Sequence, residues 1–265
     1  MLILHLEIIT FNTHNTMKRF LHYILLVAAV GFAACEDDGI DSIGTGDVNK
    51  DNDVWNLPYD TTGSVAGHHY VDIGLSVLWA TSNIDAAHPL MAGSYYAWGE
   101  TKPKDSYGWH NYAHCDEFNQ LTKYNFKKED GSNSFVDSIY TLLPEDDAAV
   151  QNWGNGWRMP TSKEFEELRN LCEWTWVSDK NANYYKVTGP NGKSLLLPSC
   201  GSIKETKRIM FMENGCLWTA SVSVNVPKHA YELTQYATGY WVGSADRFYG
   251  EPVRPVISPN DIVKP

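Results

Sequence analysis

The apolar run from Phe20 to Gly31 constrains this chain more than any other feature. It is preceded by Lys18 and Arg19 and followed by Ala33, Ala34 and Cys35. The run is shorter than the roughly 20 apolar residues that span a bilayer, and the order basic, apolar, small is that of an export signal. Residues 1–34 are therefore set aside from the folded protein. Met17 opens a complete signal of its own, so residues 1–16 are expected to lie ahead of the true start. Behind the signal come a polar stretch to Gly67 and about 190 residues, 68–257. That length suits one well-buried domain and is too short for two. Residues 258–265 are read as a tail.

Ten Trp, 15 Tyr and 9 Phe, with 20 Gly and 12 Pro, favour short strands and many turns over a helical bundle. The net charge of −11 becomes −12 without residues 1–34, which carry Lys18, Arg19 and Glu7. So acidic a surface excludes nucleic acid as an expected partner.

Phe32-Ala33-Ala34-Cys35 resembles the lipobox of bacterial lipoproteins, in which a diacylglycerol is attached to the cysteine and the preceding peptide is removed. That chemistry needs small residues beside the cleaved bond and a thiol directly after it. Cys35 is thus the expected lipidation site, and outer-membrane lipid the expected partner. Glu36-Asp37-Asp38 resembles the acidic signal that sends lipoproteins of gut Bacteroidetes to the exterior of the outer membrane. The segment 35–67, rich in Asp, Gly, Asn, Ser and Thr, reads as a flexible tether. Within it, Asp47–Asp53 has the aspartate spacing of a calcium loop but lacks the sixth-position glycine and the terminal glutamate.

The domain is expected to begin at His68. Residues 70–74 and 75–80 read as strands turning at Gly74, and 94–100 as a third. The polar stretch 101–141 reads as an irregular excursion stapled by Trp109, Tyr112 and Tyr124. Pro144–Val150 reads as a short helix. Thr161-Ser162-Lys163-Glu164 is a capping box, followed at helical spacing by Phe165, Leu168, Leu171 and Cys172. Residues 184–188 and 193–198 flank a Gly-Pro-Asn-Gly turn and predict a hairpin. Further strands are expected at 217–222, 229–236, 239–243 and 252–257.

Taken in order, YVDIGLSVLWATSNI, GSYYAWGETKPK, NWGNGWRMPTSKEFEEL, CEWTW, YYKVTGPNGKSLLLPSCG, LWTAS and FYGEPVRPV resemble the Fibrobacter succinogenes major paralogous domain family over residues 68–257. The motif Arg158-Met159-Pro160-Thr161-x-x-Glu164-Phe165, with Arg254, is similar to the wider sulfatase-modifying-factor branch of the C-type-lectin-like fold. The resemblance implies an α+β domain of the C-type-lectin-like kind: small twisted antiparallel sheets, one or two helices, and long loops. In this setting Arg158 and Arg254 are expected to be buried, bonded to backbone carbonyls or Glu164.

The enzyme branch of that fold holds copper on a close pair of cysteines near the carboxyl end. Here Cys200 and Cys216 stand 16 residues apart, so the oxidase chemistry is not expected. No zinc spacing, nucleophile elbow or phosphate loop occurs, and His68-His69 reads as a solvated pair. The lectin calcium motif is absent too, Glu251-Pro252-Val253 being a partial echo. No catalytic residue, metal or cofactor is therefore expected. Of the domain cysteines, Cys200 with Cys216 flank one loop, and Cys115 with Cys172 lie where the family brings a loop to a helix end. Both pairs are candidate disulfides, with free buried thiols as the alternative.

The expected function is that of a cell-surface lipoprotein whose domain binds glycan or protein without catalysis, as an adhesin does. The alternatives are a structural or accessory subunit of a surface assembly and a surface glycan hydrolase. The candidate ligand-binding residues are Tyr236, Tyr240, Trp241, Arg247 and Tyr249, aromatics set among small and polar residues near the carboxyl end. Alternation along Tyr240-Trp241-Val242 requires at least one face of that strand to be core.

Overall fold

The structure is a computed structural model in which residues 53–262 are described. Cys35 and the acidic residues after it lie outside the described residues. The described chain is built from small antiparallel sheets with few helices, an α+β arrangement. The first sheet has the order β1-β2-β3-β13-β4, with β1 Gly63–Val65, β2 His68–Val71, β3 Leu78–Ala80, β4 Trp157–Arg158 and β13 Val256–Ile257. It ties the beginning and end of the domain together, because β13 lies between β3 and β4.

The domain begins earlier than the sequence implies. Val54 is buried in a small cluster with Leu90, Ala182, Tyr184 and Leu196, and β1 pairs with β2, so residues 53–67 belong to the fold rather than to a tether. The Asp, Asn, Thr, Gly and Ser among them hid this; Val54, Trp55 and Val65 pack into buried clusters, and the Tyr59 ring meets His88 edge-on at 5.7 Å. At the other end, Pro259–Asp261 forms a 3₁₀ turn and Ile262 packs against the cluster of Leu78, Ala80, Trp157 and Ile257.

The two helices are α1, Ala148–Trp153, and α2, Ser162–Leu171. Asp147, not Pro144, starts α1: its carboxylate accepts from the amides of Ala149 and Val150 and also of Met159. Pro144–Asp146 is a separate 3₁₀ turn. The capping box of α2 is formed as expected, Thr161 accepting from the Glu164 amide and Glu164 from the Thr161 amide. Arg158 grips the same Glu164 carboxylate with both terminal nitrogens. Phe165 and Leu168 are fully buried, whereas Leu171, expected on the core face, is exposed because the helix ends there.

Three strands, β5 Glu173–Ser178, β6 Asn183–Thr188 and β7 Ser194–Pro198, form the second sheet around the expected Gly-Pro-Asn-Gly turn. A hairpin of β8 Ser202–Lys204 and β9 Lys207–Ile209 follows, and then the third sheet, β10 Asn214–Val222, β11 His229–Tyr236 and β12 Gly239–Asp246. The main core lies where the three larger sheets meet α2, and it joins Trp79, Phe165, Leu168, Val187, Leu197, Leu217 and Leu233.

Residues 94–100 do not form a strand; Tyr96 makes one isolated bridge to Glu251, and Trp98 is held by its indole donating to the Thr219 carbonyl at 2.7 Å. The excursion that follows is irregular, with buried Tyr112 and Tyr124 as its staples and Trp109 half-buried beside them. Arg254 is fully buried and donates to Asn83 Oδ1 and to the carbonyls of Ala80, Thr81 and Pro89, which fixes the loop after β3.

Candidate functional site

The two faces of β10–β11–β12 are set by register. Strand pairing aligns Cys216, Thr234 and Trp241 in one row, Asn214, Tyr236 and Gly239 in the next, and Trp218, Glu232 and Gly243 in a third. Side chains alternate along each strand, so these rows share one face. The intervening residues, Leu217, Leu233, Tyr240 and Val242, take the other face and pack into the main core.

This alternation separates the neighbours Tyr240 and Trp241. Tyr240 stacks on Trp174 at 4.1 Å between ring centroids and meets Tyr185 edge-on at 5.3 Å, so it closes the core. Trp241 is 44% exposed. Its ring lies nearly parallel to that of Tyr236, 18° between planes and 5.6 Å between centroids. The indole reaches over Gly243, where an added Cβ would meet Trp241 Nε1 at 3.2 Å and Thr234 Oγ1 at 3.0 Å. A side chain at position 243 would therefore make the indole or the Thr234 hydroxyl give by a few tenths of an ångström.

The Tyr236 hydroxyl reaches Met210 Sδ at 3.7 Å, and Met210 and Phe211 are both exposed. The Arg208 guanidinium lies 4.7 Å from the Phe211 ring centroid and within cation–π range. Trp241, Tyr236, Met210, Phe211 and Arg208 thus form an aromatic and cationic platform along one side of the third sheet. The sequence pointed to Tyr236 and Trp241 but missed Met210, Phe211 and Arg208. Their signal, an apolar Met-Phe-Met tip between two strands, is a weak one.

The other candidate ligand residues lie elsewhere. Arg247 is fully buried: it donates to the Lys123 and Tyr124 carbonyls and stacks 4.7 Å from the Trp98 ring centroid. Burial pushes its pKa down, and it serves the interior by fixing the excursion loop at Tyr124, whose φ is +58°. Tyr249 is half-buried, stacked on Phe248 at 4.6 Å and covered by Lys204.

Neither candidate disulfide is formed; Cys115, Cys172, Cys200 and Cys216 are all free thiols. Cys115 Sγ donates to the carbonyls of Trp109 and Tyr112, each at 3.3 Å, inside its own loop. Cys172 packs instead against the main core at the end of α2. Cys216 Sγ donates to Asn214 Oδ1 at 2.7 Å, while Cys200 packs with Tyr95, Tyr107 and Phe248. Burial pushes the Cys172 thiol up to about 11 and the Cys200 thiol up to about 12, so both remain protonated at neutral pH. His68, read from the sequence as solvated, stacks on Trp153 at 3.8 Å, and burial lowers its pKa.

A concavity of about 390 Å³ lies away from the platform, where Leu57–Asp60 crosses β6 and β7, lined among others by Tyr59, Tyr184, Lys186 and Leu196. Asp60 is engaged there, accepting the Ser194 amide at 2.7 Å. The volume is that of a small-ligand site, and its one lining carboxylate is already bonded to the backbone. Comparison of the chain with protein-family models, with curated proteins and with solved structures finds no match.

Proposed function

We propose that this chain is a surface lipoprotein, held to the outer membrane through a lipidated Cys35, whose domain binds a glycan or a protein at the Trp241–Tyr236 platform without turning it over. We assign the domain to the C-type-lectin-like fold and to the Fibrobacter succinogenes major paralogous domain family. Small antiparallel sheets around a capped helix, and the motifs along residues 68–257, support that assignment.

The observation that carries the binding reading is the exposure of Trp241 on a strand whose other aromatic, Tyr240, is used in the core. Burying a large indole is worth more than leaving it in water, so an exposed one held parallel to a tyrosine is a surface that gains by being covered. Rigid aromatic faces suit sugar rings and protein hot spots alike. The adjacent methionine and phenylalanine extend the apolar area, and Arg208 adds a charged edge.

The test is a screen of residues 36–265 against glycans and host-matrix proteins. Saturable binding without turnover, weakened by Trp241→Ala, supports the reading. Hydrolysis of a glycan replaces it with the enzyme alternative, and neither outcome leaves the assembly-subunit alternative. Intact-mass measurement of membrane-extracted protein tests the anchor: a chain beginning at a diacylated Cys35 is expected, and retention of residues 1–34 or an unmodified thiol defeats it.

A further inference from the structure

The row-bearing face of the third sheet holds a second feature, in the row of Trp241 and the row beside it. Cys216 on β10, Glu232 on β11 and Glu251 in the segment after β12 bring one thiol sulfur and two carboxylate oxygens within 4.8 Å of one another. All three residues are buried, Cys216 and Glu232 at 7% exposure and Glu251 at 1%. Glu232 Oε1 is engaged, accepting from Thr234 Oγ1 at 2.6 Å. Oε2 of Glu232 and Oε2 of Glu251, however, have no hydrogen-bond donor other than each other's proton or the Cys216 thiol. Buried carboxylate oxygens are almost always paired, so two of them beside a thiol either share a proton or hold a cation.

We propose that Cys216, Glu232 and Glu251 form a buried site for one divalent transition-metal cation, with zinc the ion its donor set fits best. A thiolate with two carboxylates matches zinc and its neighbours, whereas calcium and magnesium take oxygen ligands and would not use the sulfur. Asn214 Oδ1, already in contact with Cys216 Sγ, offers a fourth donor. Without a cation, burial raises the pKa of Glu251 and of Cys216, and for Glu251 the neighbouring Glu232 adds to the effect. A cation among them reverses that balance. As it binds, each protonated ligand releases its proton to solvent.

With every donor buried, the site is of the closed, structural kind. It joins three segments: β10, β11, and the stretch that runs from β12 through Glu251, which bridges to Tyr96. Thr234 links it to the surface, since its hydroxyl touches Glu232 while its row ends at Trp241. The sequence shows Glu251 only as an echo of a lectin motif, and nothing in it pairs Glu251 with Glu232 or Cys216.

The experiment unfolds the full chain, refolds it with cobalt(II), and reads the thiolate-to-cobalt charge-transfer band together with near-ultraviolet circular dichroism. One cobalt per chain is expected, with a band that zinc abolishes and that Cys216→Ser removes. Glu251→Gln keeps the side chain's volume and can hydrogen-bond Glu232, so it should fold while binding cobalt at least tenfold more weakly. The proposal is overturned if refolded wild type shows no band, if the band survives in Cys216→Ser, or if Glu251→Gln binds cobalt as tightly as wild type. A Glu251→Gln protein more heat-stable than wild type with zinc present likewise overturns it, because the pair is then a neutral acid pair.

Discussion

The two faces of β10–β11–β12 are built from the same three strands and put to opposite uses. One face presents Leu217, Leu233, Tyr240 and Val242 to α2 and the second sheet, and its energy is that of close packing. The other carries Asn214, Cys216 and Thr234 in the same rows as the exposed Trp241 and half-buried Tyr236, with Glu232 and the buried Trp218 in the row beside them, Trp218 joining a second core cluster. The difference teaches that aromatic content alone does not mark a binding surface. Tyr240 and Trp241 are consecutive, yet one fills a hole in the core and the other stays exposed.

Substitutions on the two faces should therefore separate stability from binding. The largest effect is expected for Leu233→Ala, which empties a fully buried position of the main core and should cost about 3 kcal/mol. Chemical denaturation measures it, and a loss below about 1 kcal/mol would mean that this face is not the packed one. Next comes Trp241→Ala on the other face. It should cost a discovered ligand about 2 kcal/mol of affinity, roughly thirtyfold, while changing the unfolding free energy by less than about 1 kcal/mol. Equal losses in stability and affinity would erase the contrast between the faces.

Arg247→Met sharpens the comparison from outside the sheet. It removes the donors of the Lys123 and Tyr124 carbonyls and should cost about 2 kcal/mol. Ligand affinity should stay unchanged, and amide exchange should quicken around Tyr124. A weaker ligand affinity with no change in exchange would return Arg247 to the binding surface.

The smallest effect concerns the helix on which the first face rests. Burial alone would raise the Glu164 pKa, but hydrogen bonds from Arg158 and Thr161 outweigh it and the net shift is downward. A carboxyl held below its unfolded value adds stability that is complete above about pH 4.5 and is lost as pH falls through the folded value. Glu164→Gln should lower stability by about 1 kcal/mol at neutral pH and converge with wild type in acid. A difference that persists unchanged at low pH would show that the charge is not what matters. The free thiols have a separate check: intact mass of the folded protein should be identical before and after reduction, where a disulfide would add two hydrogens.

Local features were legible from sequence because their causes are local. The capping box at Thr161–Glu164, the Gly-Pro-Asn-Gly turn and the limits of β11 follow from residues within a few positions of each other. So does the fact that Tyr240 and Trp241 face opposite ways. Which of the two meets the core is not local. It depends on α2 and β5 arriving beneath one side of β12, and those segments lie more than 60 positions earlier in the chain. The burial of Arg247 is not local for the same reason, since its partners at Lys123 and Tyr124 lie more than 120 positions away.

The sequence by itself determined the capped helix, the strand alternation and the net acidic charge, the first two carried by neighbouring residues. The tertiary structure alone decided that residues 53–67 belong to the fold, that the four cysteines stay apart as free thiols, and that Glu232 and Glu251 meet beside Cys216. Those outcomes rest on contacts between distant segments. Composition and periodicity constrain which way a side chain points along its own strand, but not what the rest of the chain places opposite it.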